Sequence, residues 1–164
     1  MTTADRFRRW YRYEREAHAT MLASLDTVPA SARLAPEYLQ AVDLIAHLAM
    51  ARRLWLFRLG ASAEGPADLF PRGMMLPRVQ ALLDETEQAW TAYLEGLDDA
   101  ALARKFTYRS LEGPKFRNVV EDILTQLFGH SSYHRGQIAQ LVRRLGGTPA
   151  ETDFVFWSRE PSSG

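Results

Sequence analysis

An all-α four-helix bundle is the fold this sequence predicts, on three observations. Four stretches carry apolar residues at helical spacing, glycines and prolines punctuate the chain between them, and no regular alternating pattern separates them. At 164 residues, 46% of them hydrophobic, the chain can bury one core, which predicts a single domain over residues 1–157 and a flexible C-terminal tail over 158–164.

The first helix is predicted from about residue 4 to 26, where Phe7, Trp10, Tyr11, Ala17, Met21, Leu22 and Leu25 form one stripe. Its arginines, Arg6, Arg8, Arg9, Arg12 and Arg15, read as a solvated outer face. Pro29 and Pro36 break the pattern. Pro36 suits the first turn of a second helix, which runs to Gly60 as a natural terminating residue and is nearly apolar through LQAVDLIAHLAMA, so it should be central. GASAEGPADLFPRG then reads as a loop.

Leu76, Val79, Leu82, Leu83, Thr86, Trp90, Tyr93 and Leu94 predict a third helix ending near Gly96. Residues 98–117 read as a short helical turn leading into a small hairpin or irregular excursion. Asn118, with Glu121 three residues on, is placed to cap the fourth helix, which should run to Leu145 before Gly146, Gly147 and Pro149. TDFVFW is too short for another long helix and is expected to lie extended across the bundle.

Composition excludes several classes. Twenty basic and twenty acidic residues cancel, which argues against a nucleic-acid binder held by phosphate neutralisation. No apolar run has the length needed to span a bilayer, and MTTADRFRRWYRYER lacks the apolar centre of a secretory signal, so no membrane partner and a cytoplasmic location are expected. Cysteine is absent, so any thiol chemistry needs a thiol supplied from outside.

Two of the four histidines fall in GHSSYHRGQ, at residues 130 and 134. A spacing of four puts both imidazoles on one helix face, where they can share a metal ion or stand as ordinary core-edge histidines. A third ligand must come from another helix. His47, in the apolar DLIAHLAMA, needs a partner if buried, whether a metal or a backbone carbonyl. His18 competes, near the inner stripe of the first helix, as a neighbour of the site or a merely buried residue. Neither Glu-x-x-His nor His-Glu-x-x-His occurs, which argues against carboxylate-bridged di-metal and zinc-protease sites.

Three further groups share these faces. Asp43, four residues before His47, suits a carboxylate supporting the site or a general base, or is simply an acid in the N-terminal half of its helix. Gln137, seven after His130, suits a role orienting a ligand, or is a satisfied core amide. Tyr133 and Arg135 point away from the centre of the pair. Gly129 and Gly136 share a stripe and imply close approach of a neighbouring helix, a partner subunit or a substrate, with helix packing favoured.

The single histidine in an apolar second helix, the excursion, HSSYHRGQIAQLVRRLGGTP and DFVFW together resemble the DinB/YfiT-like family of small bacterial metal-binding four-helix proteins, over essentially the whole chain. The resemblance implies an up-down-down-up bundle, a zinc or nickel site carried by His47, His130 and His134, and a homodimer. It also implies transfer or isomerisation chemistry on small molecules with a low-molecular-weight thiol, in detoxification or stress, or else a non-catalytic metal-binding bundle. Trp10, Tyr11 and Tyr13 cannot all face one bundle core by this reading, which also points to a homodimer.

Overall fold

The computed structural model describes residues 1–162. Its α-helices are α1 (Thr3–Asp26), α2 (Pro36–Arg58), α3 (Leu76–Glu95), the one-turn α4 (Asp99–Leu102), α5 (Val120–Arg144) and the short α6 (Phe154–Ser158). Strands β1 (Lys105–Arg109) and β2 (Lys115–Val119) pair antiparallel between α4 and α5, with Phe106 opposite Asn118. The four long helices form the expected bundle, and the excursion before α5 is the hairpin. No helix among the described residues is long and apolar enough to cross a membrane.

Direction follows from which residues meet. Arg53 bonds Thr86 while Asp43 reaches Gly73, so α2 and α3 run the same way. Trp10 stacks on Phe128 while Met21 and Leu25 share a core with Ile138 and Val142, so α1 runs with α5. Tyr11 reaches Glu87 and Arg8 reaches Leu94, which sets α1 against α3. The order is up-down-down-up. Parallel neighbours need a long crossover, and residues 59–75 supply it by passing over the side of the bundle that carries His47.

Two apolar clusters fill the interior. One gathers Met21, Leu25, Ile45, Ala49, Leu83 and Ile138; the other gathers Phe7, Leu56, Trp90, Leu102, Val120 and Leu127. Between them lies a buried ionic group: Glu14 pairs with Arg52, Arg52 donates to Ser131 at 3.2 Å, and Arg135 stands 3.9 Å from Glu14 and donates to the Tyr13 hydroxyl at 3.0 Å. All four of Glu14, Arg52, Ser131 and Arg135 are less than 5% exposed.

Several expectations are corrected. Asn118 does not cap α5. The ladder holds Asn118 and Val119, the Asn118 side chain accepts from Tyr108, Val119 becomes the N-cap without a side-chain bond, and the Val120 N–H goes to the Arg104 carbonyl instead. The segment TDFVFW contains a helical turn rather than an extended strand. Three-residue spacing puts Phe154 and Trp157 on one side of a turn, where both pack on Tyr13 at 5.0 and 5.7 Å, whereas extended backbone would send them to opposite faces. The expected tail from residue 158 begins inside this turn, and residues 163–164 lie outside the described residues.

Arg8 and Arg9 are more than a solvated face. Arg8 donates to the Leu94 and Leu97 carbonyls at the end of α3, and Arg9 lies over Phe154 and Trp157. Tyr11 and Tyr13 are buried, and Trp10 is half-buried against Phe7 and Phe128. Partners within the chain account for the three rings: α2 and α3 cover Tyr11, the C-terminal segment folds back onto Tyr13, and Phe128 of α5 stacks on Trp10. The rings supply no argument for a homodimer. Gly129 and Gly136 are not explained by packing: a methyl group built on each finds no atom of another element among the described residues within 4 Å.

Candidate metal centre

The three-imidazole group is assembled from two helices and flanked by one loop. His130 and His134 project from the same face of α5, and α2 runs antiparallel beside it so that His47 meets them across the helix interface. The His130 Nε2 lies 3.2 Å from that of His47 and 3.1 Å from that of His134. One ring nitrogen from each residue lies within 4.8 Å of the others, so the group could hold a metal ion.

Hydrogen bonds on the far side of two rings decide which nitrogen faces inward. The Leu69 carbonyl, 2.8 Å from the His47 Nδ1, can only accept, so that nitrogen carries the proton and Nε2 keeps its lone pair. The Gln137 Oε1 does the same for the His134 Nδ1 at 2.7 Å, while the Gln137 amide donates to the Tyr133 hydroxyl at 3.3 Å. Two lone pairs therefore converge on the His130 Nε2, and a cation satisfies all three at once. Tetrahedral angles at a zinc–nitrogen length of about 2.0–2.1 Å place ligand nitrogens about 3.3 Å apart, so the donor set fits.

Electrostatics favour the neutral form of His130 and His134. Burial, with the neighbouring imidazoles of His134 and His47 adding to it, depresses His130 to about 4. Burial also lowers His134, against the opposing hydrogen bond that its Nδ1 donates to Gln137. Since the unfolded chain takes up these protons near pH 6.5 and the folded chain resists them, metal-free protein is expected to lose thermal stability as pH falls from about 6.5 to about 4. Melting curves across that range, with a His130→Gln control of flatter dependence, check the sign.

The other sequence candidates fall in different places. Asp43 makes no hydrogen bond to the histidines; its carboxylate accepts the Gly73 N–H at 2.9 Å and lines a cleft with His47 and His134. His18 sits on the far side of the core, where its Nδ1 donates to Glu87 at 2.8 Å, so it is a buried, paired residue. Gln137 holds His134 by its outer nitrogen, and Gln137→Leu is expected to weaken metal affinity about 10- to 100-fold without unfolding the protein. A competition titration against a chromophoric chelator reads this out.

Sequence reasoning missed the loop. Phe70 stacks on His47 with ring centres 4.5 Å apart and planes within 9°, and Leu69 supplies the orienting carbonyl. Neither residue has a local pattern that announces it. The buried Arg52–Glu14 pair beneath His130 was missed as well, although two arginines following an apolar helical run were a visible signal.

Two clefts open on the group from opposite sides. One, of about 500 Å³, is walled by Asp43, Phe70 and Arg72 and reaches His47 and His134. The other, of about 430 Å³, lies under the hairpin and reaches His47 and His130.

Fold and centre define a class: a small up-down-down-up helical protein with a three-imidazole group between two antiparallel helices. A family model described as the DinB superfamily matches residues 13–138, a span that contains all three histidines and Gln137, and the chain belongs to this superfamily. No curated protein and no solved structure matches it.

Proposed function

We propose that this protein is a metal-dependent enzyme acting on small molecules, a thiol-dependent transferase serving detoxification or stress response in the cytoplasm, with zinc or nickel held by His47, His130 and His134. The observation that carries the reading is the convergence of three imidazole nitrogens at the floor of two open clefts whose walls hold other polar groups. A centre serving only structure would be closed by a fourth protein ligand.

When bound, a divalent metal lowers the pKa of a thiol or water presented to it, supplying a nucleophile near neutral pH. The protein's own groups do the rest. Leu69 and Gln137 fix the imidazole tautomers, Phe70 shields the outer face of His47, and half-burial of His130 and His134 excludes part of the competing water. Asp43 is the acidic group on the wall beside His134, within the cleft where a proton must be accepted or handed on. The nucleophilic thiol comes from outside, because the chain has no cysteine.

Metal analysis on protein purified without an affinity tag is the first test, with about one equivalent of a divalent metal expected per chain. Metal-loaded protein is then incubated with a panel of small bacterial thiols and a generic electrophile. Thiol consumption by wild type that His134→Ala lacks supports the enzyme. Full metal loading with no consumption above background across the panel assigns the protein to the second reading, a non-catalytic metal-binding bundle. A homodimer is part of the proposal on family resemblance alone, and sedimentation at micromolar concentration showing only monomer would remove it.

A further inference from the structure

The cleft under the hairpin carries a cation that the three-histidine group does not use. His47, Ala51, Trp55 and Arg58 follow one stripe of α2, so the Arg58 guanidinium shares a wall with the His47 imidazole. The two Cα atoms stand about 16 Å apart along the helix, and long helical side chains lean toward the N-terminus, which carries the guanidinium back toward the histidines.

Its surroundings are those of a binding group. The guanidinium stacks on two rings, 4.7 Å from the centre of Trp55 and 4.8 Å from that of Tyr108. Its Nη2 donates to the Arg109 carbonyl at 3.0 Å, and the other edge has no hydrogen-bond partner among the described residues. No carboxylate of the described residues lies within 4.0 Å of it. Glu112, the one acid lining this cleft, stands exposed on the hairpin turn. On the same cleft Leu111 and Phe116 are left 65% and 52% exposed. A half-buried planar cation whose only nearby counter-charge is the exposed Glu112 carboxylate, too far for an ion pair, beside uncovered apolar side chains, suits an anion with an apolar body.

We propose that this cleft binds a small organic acid, its carboxylate on the free edge of Arg58 and its apolar body against Trp55, Tyr108 and Phe116, so that its far end is presented to His47 and His130. The inference rests on reading the three-histidine group as a reaction centre, and it names the class of molecule delivered there. Arginine suits the task because its planar fork takes a carboxylate through two parallel N–H bonds while its face stacks on aromatic rings. A cleft of about 430 Å³ has room for such a molecule.

The test titrates 3-phenylpropionate and its amide into the full chain, both metal-loaded and stripped by chelator, following tryptophan fluorescence and ligand line broadening. Saturable binding of the acid is expected in both forms, weaker by about ten-fold or more for the amide and for Arg58→Gln, and unchanged for Arg72→Gln in the opposite cleft. Equal affinity of wild-type protein for acid and amide, a comparison free of any folding defect, would overturn the proposal. So would acid binding that disappears on stripping, since the metal and not Arg58 would then hold the carboxylate. Self-association that Phe116→Glu abolishes, with no acid bound at any concentration, would give the surface to a second copy of the chain and also overturn it. Acid binding intact in a protein that never loads metal would keep the cleft and remove the metal-dependent reading, so the two failures are distinguishable.

Discussion

Metal should be lost from the His47→Ala protein, falling from about one equivalent per chain to a level set by the His130/His134 pair alone. The α5 pair offers two nitrogens 3.1 Å apart, and two imidazoles without a third do not make the usual zinc site. Removing a group that merely orients a ligand costs about 10- to 100-fold in affinity, so removing a ligand should cost more. His18→Ala, whose imidazole belongs to Glu87 on the far side of the core, should leave affinity unchanged. Elemental analysis of tag-free protein and chelator competition measure both. Full metal in His47→Ala would show that the third nitrogen comes from elsewhere.

A loss of about 3–5 kcal/mol in stability, roughly 10 °C in Tm, is expected for Glu14→Ala. Glu14 is 2% exposed and neutralises Arg52, with Arg135 close behind. Deleting the carboxylate strands two buried cations whose Nε groups already lack hydrogen-bond partners among the described residues. Arg53→Ala breaks a pair with Glu85 that solvent reaches on both sides, and should cost no more than about 1 kcal/mol. Thermal melts at neutral pH compare the two. A Glu14→Ala melt within about 2 °C of wild type would mean that the core absorbs the stranded charges through rearrangement or water.

Much of the fold was legible because its signals are local. The apolar period marked all four long helices, Pro36 opened α2, and Gly60, which has φ +78°, followed its end as only a residue tolerant of the left-handed region does readily. The Asn118 cap was misread for the opposite reason: a capping box and a strand ladder compete for the same residue, and only the pairing with Phe106 across the hairpin decides. Gly129 and Gly136 show the same limit. Their spacing is a fact of the chain, but whether anything lies above the stripe depends on helices elsewhere, and none of the described residues does.

By itself the sequence determined the four long helices, the bundle they form, and the shared face of His130 and His134, since each follows from a 3.6-residue period acting within a turn or two of chain. Tertiary structure alone decided the rest. Which of His18 and His47 meets the pair depends on α2, not α1, presenting its histidine at the antiparallel interface with α5, a contact across 83 residues of sequence. That Leu69 and Phe70 cover His47 follows from parallel α2 and α3, which force a crossover along the bundle and over the site. The meeting of Glu14, Arg52 and Arg135 beneath His130 likewise requires three helices to close on one another, because a buried charge becomes tolerable only where packing brings its partner within reach.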